Sequence, residues 1–248
     1  MNLVTGGMVE WATRIVRGMQ HRPGSVLPVA VIGIMGLGLY AFLSLADEMA
    51  EGEIRAWDER LFLAFRNPAD PANPLGPPWL EEAALEVTAL GGYTLIILTV
   101  AAVVGLLLVT RRHGPALYTI LSVGTGSLAS FLSKQFYDRA RPDLVPQLDI
   151  VHTASFPSGH AMVTTVAYLT LAALVIRFVH DLRVRIYVAG VAVFVSLIVG
   201  VSRVYLGVHW PSDVAAGWAL GVAWASLVWL LVAVLQFLRR KRTVRSEE

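Results

Sequence analysis

The sequence predicts an all-α membrane protein: a polytopic six-transmembrane-helix bundle with a short amphipathic helical insert between helices 1 and 2. Of its 248 residues, 56% are hydrophobic and only 15% are charged, whereas soluble domains have roughly 25% charged residues. The apolar residues form long runs, and the basic residues concentrate in alternate connections between those runs. The whole chain, residues 1–248, is expected to form a single integral membrane domain.

Six apolar runs are the expected membrane spans. A helix needs about 20 mostly apolar residues to cross a hydrocarbon core roughly 30 Å thick. The predicted spans are 26–46, 89–109, 115–132, 161–176, 186–201 and 214–238. The fourth and fifth are short and have polar flanks, which favours ends buried in protein rather than in lipid. The first is expected to be retained as a helix, because it is too long for a signal-peptide core and five more runs follow.

The basic residues predict the orientation of the bundle. Thirteen of the 20 Lys and Arg residues precede the first span, separate spans two and three or four and five, or follow the sixth. They are Arg14, Arg17, Arg22, Arg111, Arg112, Arg177, Arg183, Arg185, Arg239, Arg240, Lys241, Arg242 and Arg245. The positive-inside rule places these segments, and therefore both termini, in the cytoplasm.

Charge balance and cysteine content exclude several function classes. The formal net charge is +2, which gives no sign of a nucleic-acid partner. The sequence contains no cysteine, so disulfides, thiolate metal sites and cysteine nucleophiles are excluded.

The connection between the first two spans, residues 47–88, is expected to lie outside the membrane. It carries ten acidic and three basic residues. Ile54, Trp57, Leu61 and Phe65 recur at helical spacing, which predicts an amphipathic helix at the interface. Prolines then interrupt the pattern, and residues 79–90 are expected to form a second short helix. The segment either caps the bundle or helps to admit a lipid substrate, and the sequence leaves both roles open.

Three polar clusters fall at the predicted outer ends of the spans, in residues 134–142, 156–160 and 202–213. Each has a simple explanation when taken alone. Lys134 and Arg141 could be interfacial cations, Pro-Ser-Gly-His could only start a helix, and Arg203 could form an ion pair with Asp213. Polar groups are costly beside a membrane core, however, so their coincidence on one face of the bundle favours a functional site.

Together the clusters resemble the type 2 phosphatidic acid phosphatase family, whose signatures are K-x6-R-P, P-S-G-H and S-R-x5-H-x3-D. In this chain they read Lys134…Arg141-Pro142, Pro157-Ser158-Gly159-His160 and Ser202-Arg203…His209…Asp213, with every defining position filled. The length of the chain and the order of its motifs are also similar to those of the six-helix membrane branch of the family. The resemblance covers roughly residues 90–238 and implies a membrane-bound lipid phosphatase.

The chemistry of these residues agrees with binding and transfer of a phosphoryl group, which requires charge neutralisation on the phosphate oxygens. Lys134, Arg141 and Arg203 can supply the cations, with arginine offering bidentate contacts. Ser158 and Gly159 stand at the expected start of span four, where free N–H groups and the helix dipole favour an anion. Glycine also allows phosphate to approach the backbone closely.

The family resemblance implies that His209 is the nucleophile, forming a phosphohistidine, and that His160 is the general acid and later the base for water. Asp213, four residues after His209, could accept the ring N–H and fix the tautomer. Two histidines in opposite protonation states predict a bell-shaped pH profile. The cations are expected to replace a metal, so no metal and no cofactor are predicted. Asp138 and His152 are expected to be simple loop residues, while the remaining histidines fall on the cytoplasmic side: His21, His113 and His180.

The expected partner is a phosphorylated lipid of the bilayer, met at the outer face of the plasma (inner) membrane. The resemblance implies undecaprenyl pyrophosphate as the first candidate, then phosphatidylglycerol phosphate, phosphatidic acid or lipid A phosphates. A phosphotransferase using the same histidine, a lipid transporter or scramblase, and a vanadate-dependent haloperoxidase remain as alternatives. The sequence does not determine the oligomeric state.

Overall fold

The computed structural model describes residues 26–149, 151 and 153–246. This part of the chain is mostly helical and includes one small antiparallel hairpin. In chain order the elements are α1 (Val26–Glu51), α2 (Arg55–Leu63), β1 (Arg66–Asn67), β2 (Asp70–Pro74), α3 (Pro78–Ala89), α4 (Tyr93–Val109), α5 (His113–Tyr137), α6 (Gly159–Phe178), α7 (Leu182–Tyr205) and α8 (Pro211–Ser246).

The described residues contain five helices that are long and apolar enough to cross a membrane, namely α1, α5, α6, α7 and the part Pro211–Arg239 of α8. Helices α3 and α4 pass the same test only as a pair, bent by 45° at a short break. The predicted number of six is reached if this bent pair counts as one span. The protein is therefore an integral membrane protein with five or six candidate spans.

The break between α3 and α4 lies against the centre of the bundle. A Cβ atom added at Gly91 would overlap Thr164 Oγ1 of α6 and Val199 Cγ1 of α7. Glycine therefore permits the bend to approach both helices closely. Because of this approach, the bent pair packs at the same end of the bundle as the starts of α6 and α8.

Helix α6 forms the centre of the bundle. In its apolar window, 56% of the residues are buried inside the protein, the largest share among the candidate spans. Polar side chains also join the helices: Ser122 Oγ of α5 lies 2.7 Å from Thr170 Oγ1 of α6, and Trp218 Nε1 of α8 donates to Ser196 O of α7 over 2.9 Å. Such hydrogen bonds stabilise helix contacts where lipid supplies no hydrophobic driving force.

The outer connection differs from its expected form in two respects. Residues after α2 pair as the hairpin β1–β2, although the prolines there predicted only an irregular connection. In α2, Asp58 and Phe62 are the buried residues, whereas Trp57 remains 48% exposed. Of the four residues in the apolar pattern, Ile54 is buried and Phe65 half-buried, so the pattern identifies the packed face only in part. Polar contacts also hold that face, because Asp58 pairs with groups at the start of α8.

Candidate active site

The three polar clusters meet at one end of the bundle. Lys134 lies in the last turn of α5 and Arg203 in the last turn of α7, while His160 and Asp213 lie in the first turns of α6 and α8. His209 occupies the short connection between α7 and α8. Antiparallel helices therefore bring together side chains that are far apart in the sequence.

His209 is almost completely enclosed, with 2% of its surface exposed. Its Nε2 lies 3.3 Å from Arg141 Nη1. On the opposite edge of the ring, Nδ1 lies 3.3 Å from Ser155 Oγ and 3.4 Å from Asp213 Oδ2. Burial, reinforced by the nearby positive charges of Lys134 and Arg141, lowers the pKa of His209 well below its ordinary value. The imidazole is therefore neutral at physiological pH, the form in which it can attack an electrophile.

Asp213 is held by four contacts that fix its orientation. Its Oδ2 accepts hydrogen bonds from Ser155 Oγ at 2.5 Å and from Trp210 N at 2.9 Å. The Trp210 bond forms because Asp213 is the third residue of α8 and reaches back to a free N–H at the helix start. Its Oδ1 accepts from Arg139 Nη1 at 2.6 Å. Oδ2 also lies 3.4 Å from His209 Nδ1, and a carboxylate there favours the tautomer with its proton on Nδ1 and a lone pair on Nε2.

Arg203 is fully buried but only partly satisfied. Its Nη1 donates to Asp149 Oδ2 at 2.7 Å and to Thr88 Oγ1 at 2.9 Å. Its Nε and Nη2 have no hydrogen-bond partner among the described residues. The simple explanation of an ion pair with Asp213 is wrong, because Arg203 pairs with Asp149 while Asp213 pairs with Arg139. Two unpaired guanidinium nitrogens in a buried position are suited to an anion.

Lys134 and Arg141 line the same site from the end of α5 and the connection that follows. Lys134 Nζ donates to Ala154 O at 2.5 Å, and Arg141 Nη1 donates to Val208 O at 2.6 Å. Burial, with the charge of Arg203 nearby, lowers the pKa of Arg141 to about 10, so its guanidinium remains charged at neutral pH. These carbonyl contacts fix both side chains, and Arg141 is the one that lies against Nε2 of His209.

The start of α6 completes the site. Ser158 is the N-cap residue, its side chain accepts from Ala161 N at 3.5 Å, and its own N–H donates to Asp213 O at 2.9 Å. A Cβ added at Gly159 would lie 3.3 Å from Lys134 Cε, so glycine allows the lysine stem to cross the helix start. The half-buried His160 follows, near the Gly91 bend. The helix start thus presents backbone N–H groups beside a lysine.

Sequence reasoning missed several polar residues at the site. Arg139 and Ser155 contact Asp213, and their positions inside or beside the recognised clusters could have indicated them. Asp149 and Thr88 bind Arg203, but Thr88 belongs to the outer connection and no local pattern singles it out. Asp138 is the residue that ends α5, and its backbone is left-handed, with a φ of 41°. His152 lies outside the described residues.

The arrangement has the chemistry of a site for a tetrahedral anion. Arg141 lies beside Nε2 of His209, Lys134 and Arg203 are close enough for their charges to lower the pKa of the ring, and a fixed carboxylate lies on its other edge. Within residues 26–149, 151 and 153–246, no three His, Asp or Glu side chains are grouped so that they could hold a metal ion. The groups in this part of the chain that are suited to bind an anion are basic side chains and backbone N–H groups.

Comparison with known proteins identifies the family. The sequence model of the PAP2 superfamily matches residues 115–236. Over 187 aligned residues the chain is 31% identical to phosphatidylglycerophosphatase B of Bacillus subtilis. The alignment covers 73% of this chain and 86% of that protein. The chain belongs to the PAP2 superfamily. A shorter match, 38% identical over 74 residues, links it to an undecaprenyl-diphosphatase of Sulfolobus acidocaldarius and covers 30% of this chain and 31% of that enzyme.

Solved structures agree on the fold of this PAP2 superfamily member. The crystal structure of a transmembrane PAP2-type phosphatidylglycerolphosphate phosphatase from Bacillus subtilis superposes with a TM-score of 0.70 at 29% identity, covering 81% of this chain and 93% of that one. LpxE of Aquifex aeolicus is 23% identical to this chain and superposes with a TM-score of 0.51. The superposed region covers 68% of this chain and 92% of the LpxE chain. The second likeness concerns the fold alone.

Proposed function

We propose that this PAP2 superfamily member is a lipid phosphate and pyrophosphate phosphatase that works through a phosphohistidine on His209. The observation that carries the proposal is the geometry around this ring. The Nε2 edge faces the cationic site at Arg141, and the Nδ1 edge faces Asp213. Burial keeps the imidazole neutral, so a nucleophile and an anion-binding site stand side by side.

The first step transfers the phosphoryl group to the protein. Lys134, Arg141 and Arg203 hold the phosphate oxygens, and Nε2 of His209 attacks phosphorus from the opposite side of the leaving oxygen. The new P–N bond forms as the bond to the lipid oxygen breaks, and His160, protonated by the O–H group of the bound phosphate monoanion, donates that proton to the departing oxygen. The Nδ1 proton remains on the ring, where Asp213 stabilises the positive charge that develops.

The second step regenerates the enzyme. A water molecule attacks the phosphohistidine, and His160, now neutral, takes one of its protons. The P–N bond breaks, inorganic phosphate leaves, and the electron pair returns to Nε2 of His209. Both steps use only groups of this chain, so we propose that neither a metal nor a cofactor is required.

The proposed substrate class follows from the place of the site. It lies at the ends of the long apolar helices, so a lipid head group can reach it while the acyl or prenyl chains stay in the bilayer. We propose that this end faces the periplasm or cell exterior, because the basic connections lie at the other end of the spans. Phosphatidylglycerol phosphate is supported by the long match to phosphatidylglycerophosphatase B. Undecaprenyl pyrophosphate, the first candidate from the sequence, is supported by a shorter match.

The test is phosphate release by the purified protein in detergent with EDTA present. Phosphatidylglycerol phosphate, undecaprenyl pyrophosphate and phosphatidic acid would be offered separately, and the expected result is metal-independent release that disappears in His209→Ala. His180→Ala is the matched control, because this exposed histidine lies in the connection between α6 and α7 at the other end of the bundle. Release that persists in His209→Ala would contradict the assigned nucleophile.

The same assay separates the alternatives. A phosphotransferase would transfer labelled phosphate to a second lipid head group with little release into water. A lipid transporter or scramblase would bind the lipids without any turnover, and its function would not depend on the nucleophilicity of His209.

A further inference from the structure

One carboxylate side chain of helix α2, in the outer connection, is buried inside the protein. Asp58 is fully buried, although its neighbour Glu59 is exposed enough to pair with Arg55 at the surface. Asp58 Oδ1 accepts from Ser212 N at 2.8 Å, and Oδ2 accepts from Ser212 Oγ at 2.5 Å. Asp58 therefore binds the second residue of α8, one position before Asp213.

Arg139 connects this carboxylate with the proposed active site. Its Nη2 donates to Asp58 Oδ2 at 2.8 Å, and its Nη1 donates to Asp213 Oδ1 at 2.6 Å. The same Nη1 lies 2.8 Å from Ser212 Oγ. One planar guanidinium thus bridges two fully buried carboxylates, and only the second carboxylate faces His209.

We infer that Asp58 is a positioning residue for catalysis, which acts through Arg139 to hold Asp213 against the nucleophilic histidine. The inference rests on the proposed function and extends its machinery to a residue 151 positions away from His209 in the sequence. The outer connection thus supplies Asp58, the first of three linked charged groups. The other two are Arg139 and Asp213, and Asp213 faces the imidazole of His209.

The charges explain why both carboxylates are needed. With Asp58 present, Arg139 is shared between two carboxylates. Asp213 is then only partly neutralised and can still stabilise a positive charge on the histidine ring. If the carboxylate of Asp58 is removed, Arg139 pairs with Asp213 alone and neutralises it more completely. Arg139 is also free to rotate about its remaining contacts. Both changes weaken the stabilisation of the positive charge that develops on His209, while the phosphate-binding cations stay in place.

A competing explanation is that Asp58 only caps helix α8. The four N–H groups at a helix start need acceptors, and a carboxylate there also interacts favourably with the helix dipole. The two roles predict different kinetics. Loss of a cap alone lowers the stability of the fold, whereas loss of positioning lowers kcat in protein that is still folded.

The test compares Asp58→Asn with Glu59→Gln in the lipid phosphate assay. Asparagine has one oxygen, so it cannot both accept from Ser212 N and pair with Arg139 as the carboxylate does. We expect kcat to fall roughly 10- to 100-fold, as is usual when an orienting partner is removed, with KM changed by no more than about twofold. Glu59→Gln removes the adjacent carboxylate of the same helix and should leave both constants unchanged.

A double-mutant cycle with Asp213→Asn distinguishes positioning from a structural effect. If Asp58 acts through Asp213, adding Asp58→Asn to Asp213→Asn should reduce kcat little further. Independent, multiplicative losses would overturn the inference, as would wild-type kcat in Asp58→Asn. If Asp58→Asn does not yield folded protein, Arg139→Lys carries the test. Its single ammonium cannot reproduce the planar bridge, and wild-type kcat in that variant would equally overturn the inference.

These outcomes are separate from failure of the proposed function. Turnover by the wild type that disappears in His209→Ala but is unaffected by Asp58→Asn would overturn only the role of Asp58. A folded wild-type protein that releases no phosphate from any lipid would overturn the proposed function, and the inference that depends on it.

Discussion

Replacement of Asp213 by asparagine tests the central electrostatic contact of the proposed mechanism. The change keeps the shape of the side chain and allows the oxygen near Trp210 N to remain an acceptor. It removes the negative charge that lies 3.4 Å from His209 Nδ1. If the amide instead turns so that its NH2 group takes the Oδ2 position, Trp210 N loses its acceptor and the ring faces an N–H group, which favours the tautomer with its proton on Nε2. That tautomer cannot attack phosphorus.

The expected loss can be estimated from this distance. A full positive charge on the imidazole at 3.4 Å from Asp213 Oδ2 is stabilised by about 5 kcal/mol at an effective dielectric constant of about 20. Arg139, 2.6 Å from the other oxygen, offsets part of this stabilisation. A remaining effect of about 2–4 kcal/mol corresponds to a decrease in kcat of roughly 30- to 1,000-fold. KM should change by less than about threefold, because the three side chains proposed to bind phosphate are untouched.

The assay is steady-state phosphate release in detergent, with substrate varied as a surface fraction and the melting temperature measured on the same samples. Single-turnover experiments would show whether formation of the phosphohistidine or its hydrolysis is slowed. A variant with normal kcat and raised KM would refute the reasoning, since Asp213 would then contribute to binding instead of to the transition state.

Three further predictions follow from the structure. Neutralising Arg203 in Arg203→Ala should raise both KM and the inhibition constant of vanadate roughly 10- to 100-fold, because charge-assisted hydrogen bonds from Nε and Nη2 are lost; unchanged vanadate inhibition would contradict the anion site. Because the pKa of His209 is lowered in the fold, the unfolded chain binds an extra proton below about pH 6.5. The melting temperature of the wild type should therefore fall on acidification below that pH, and that of His209→Asn should fall less steeply. If the melting temperatures of both proteins depend equally on pH, the histidine is not buried as a neutral group. Finally, Gly91→Ala should lower stability by about 1–3 kcal/mol through its clash with α6 and α7. Gly105→Ala in the helix that follows the bend, α4, where a Cβ meets no atom within 4 Å, should be neutral or stabilising in thermal unfolding.

Composition and periodicity predicted the helical membrane fold, but the number of spans depends on a tertiary contact. The apolar run that begins near residue 89 was predicted as one straight span of 89–109. In the structure, α4 begins at Tyr93 and is joined to α3 by the bend at Gly91. Hydropathy sums cannot reveal such a bend, because the close approach of α6 and α7 to Gly91 is a tertiary contact.

The orientation of α2 shows the same limit on the outer connection. Its apolar periodicity drew attention to Trp57 and Leu61, whereas the residue that reaches the site is Asp58. An acidic residue in an acid-rich segment carries no local signal of burial. It is buried because Ser212 and Arg139, far along the chain, together supply three donors to its two oxygens.

Apolar runs and fixed motif spacings are local properties of the chain, so they were enough to indicate a helical membrane protein of the PAP2 superfamily. The sequence also indicated the side chains that converge, such as Lys134, His160 and His209, since each motif lies at the end of a predicted helix. Only the tertiary structure decided the partners of the charged groups: Arg203 with Asp149, and Asp213 with Arg139 and through it Asp58. The physical reason is that a buried charge takes its partner from whichever segment packing brings within about 3 Å, and neither spacing nor composition records that choice.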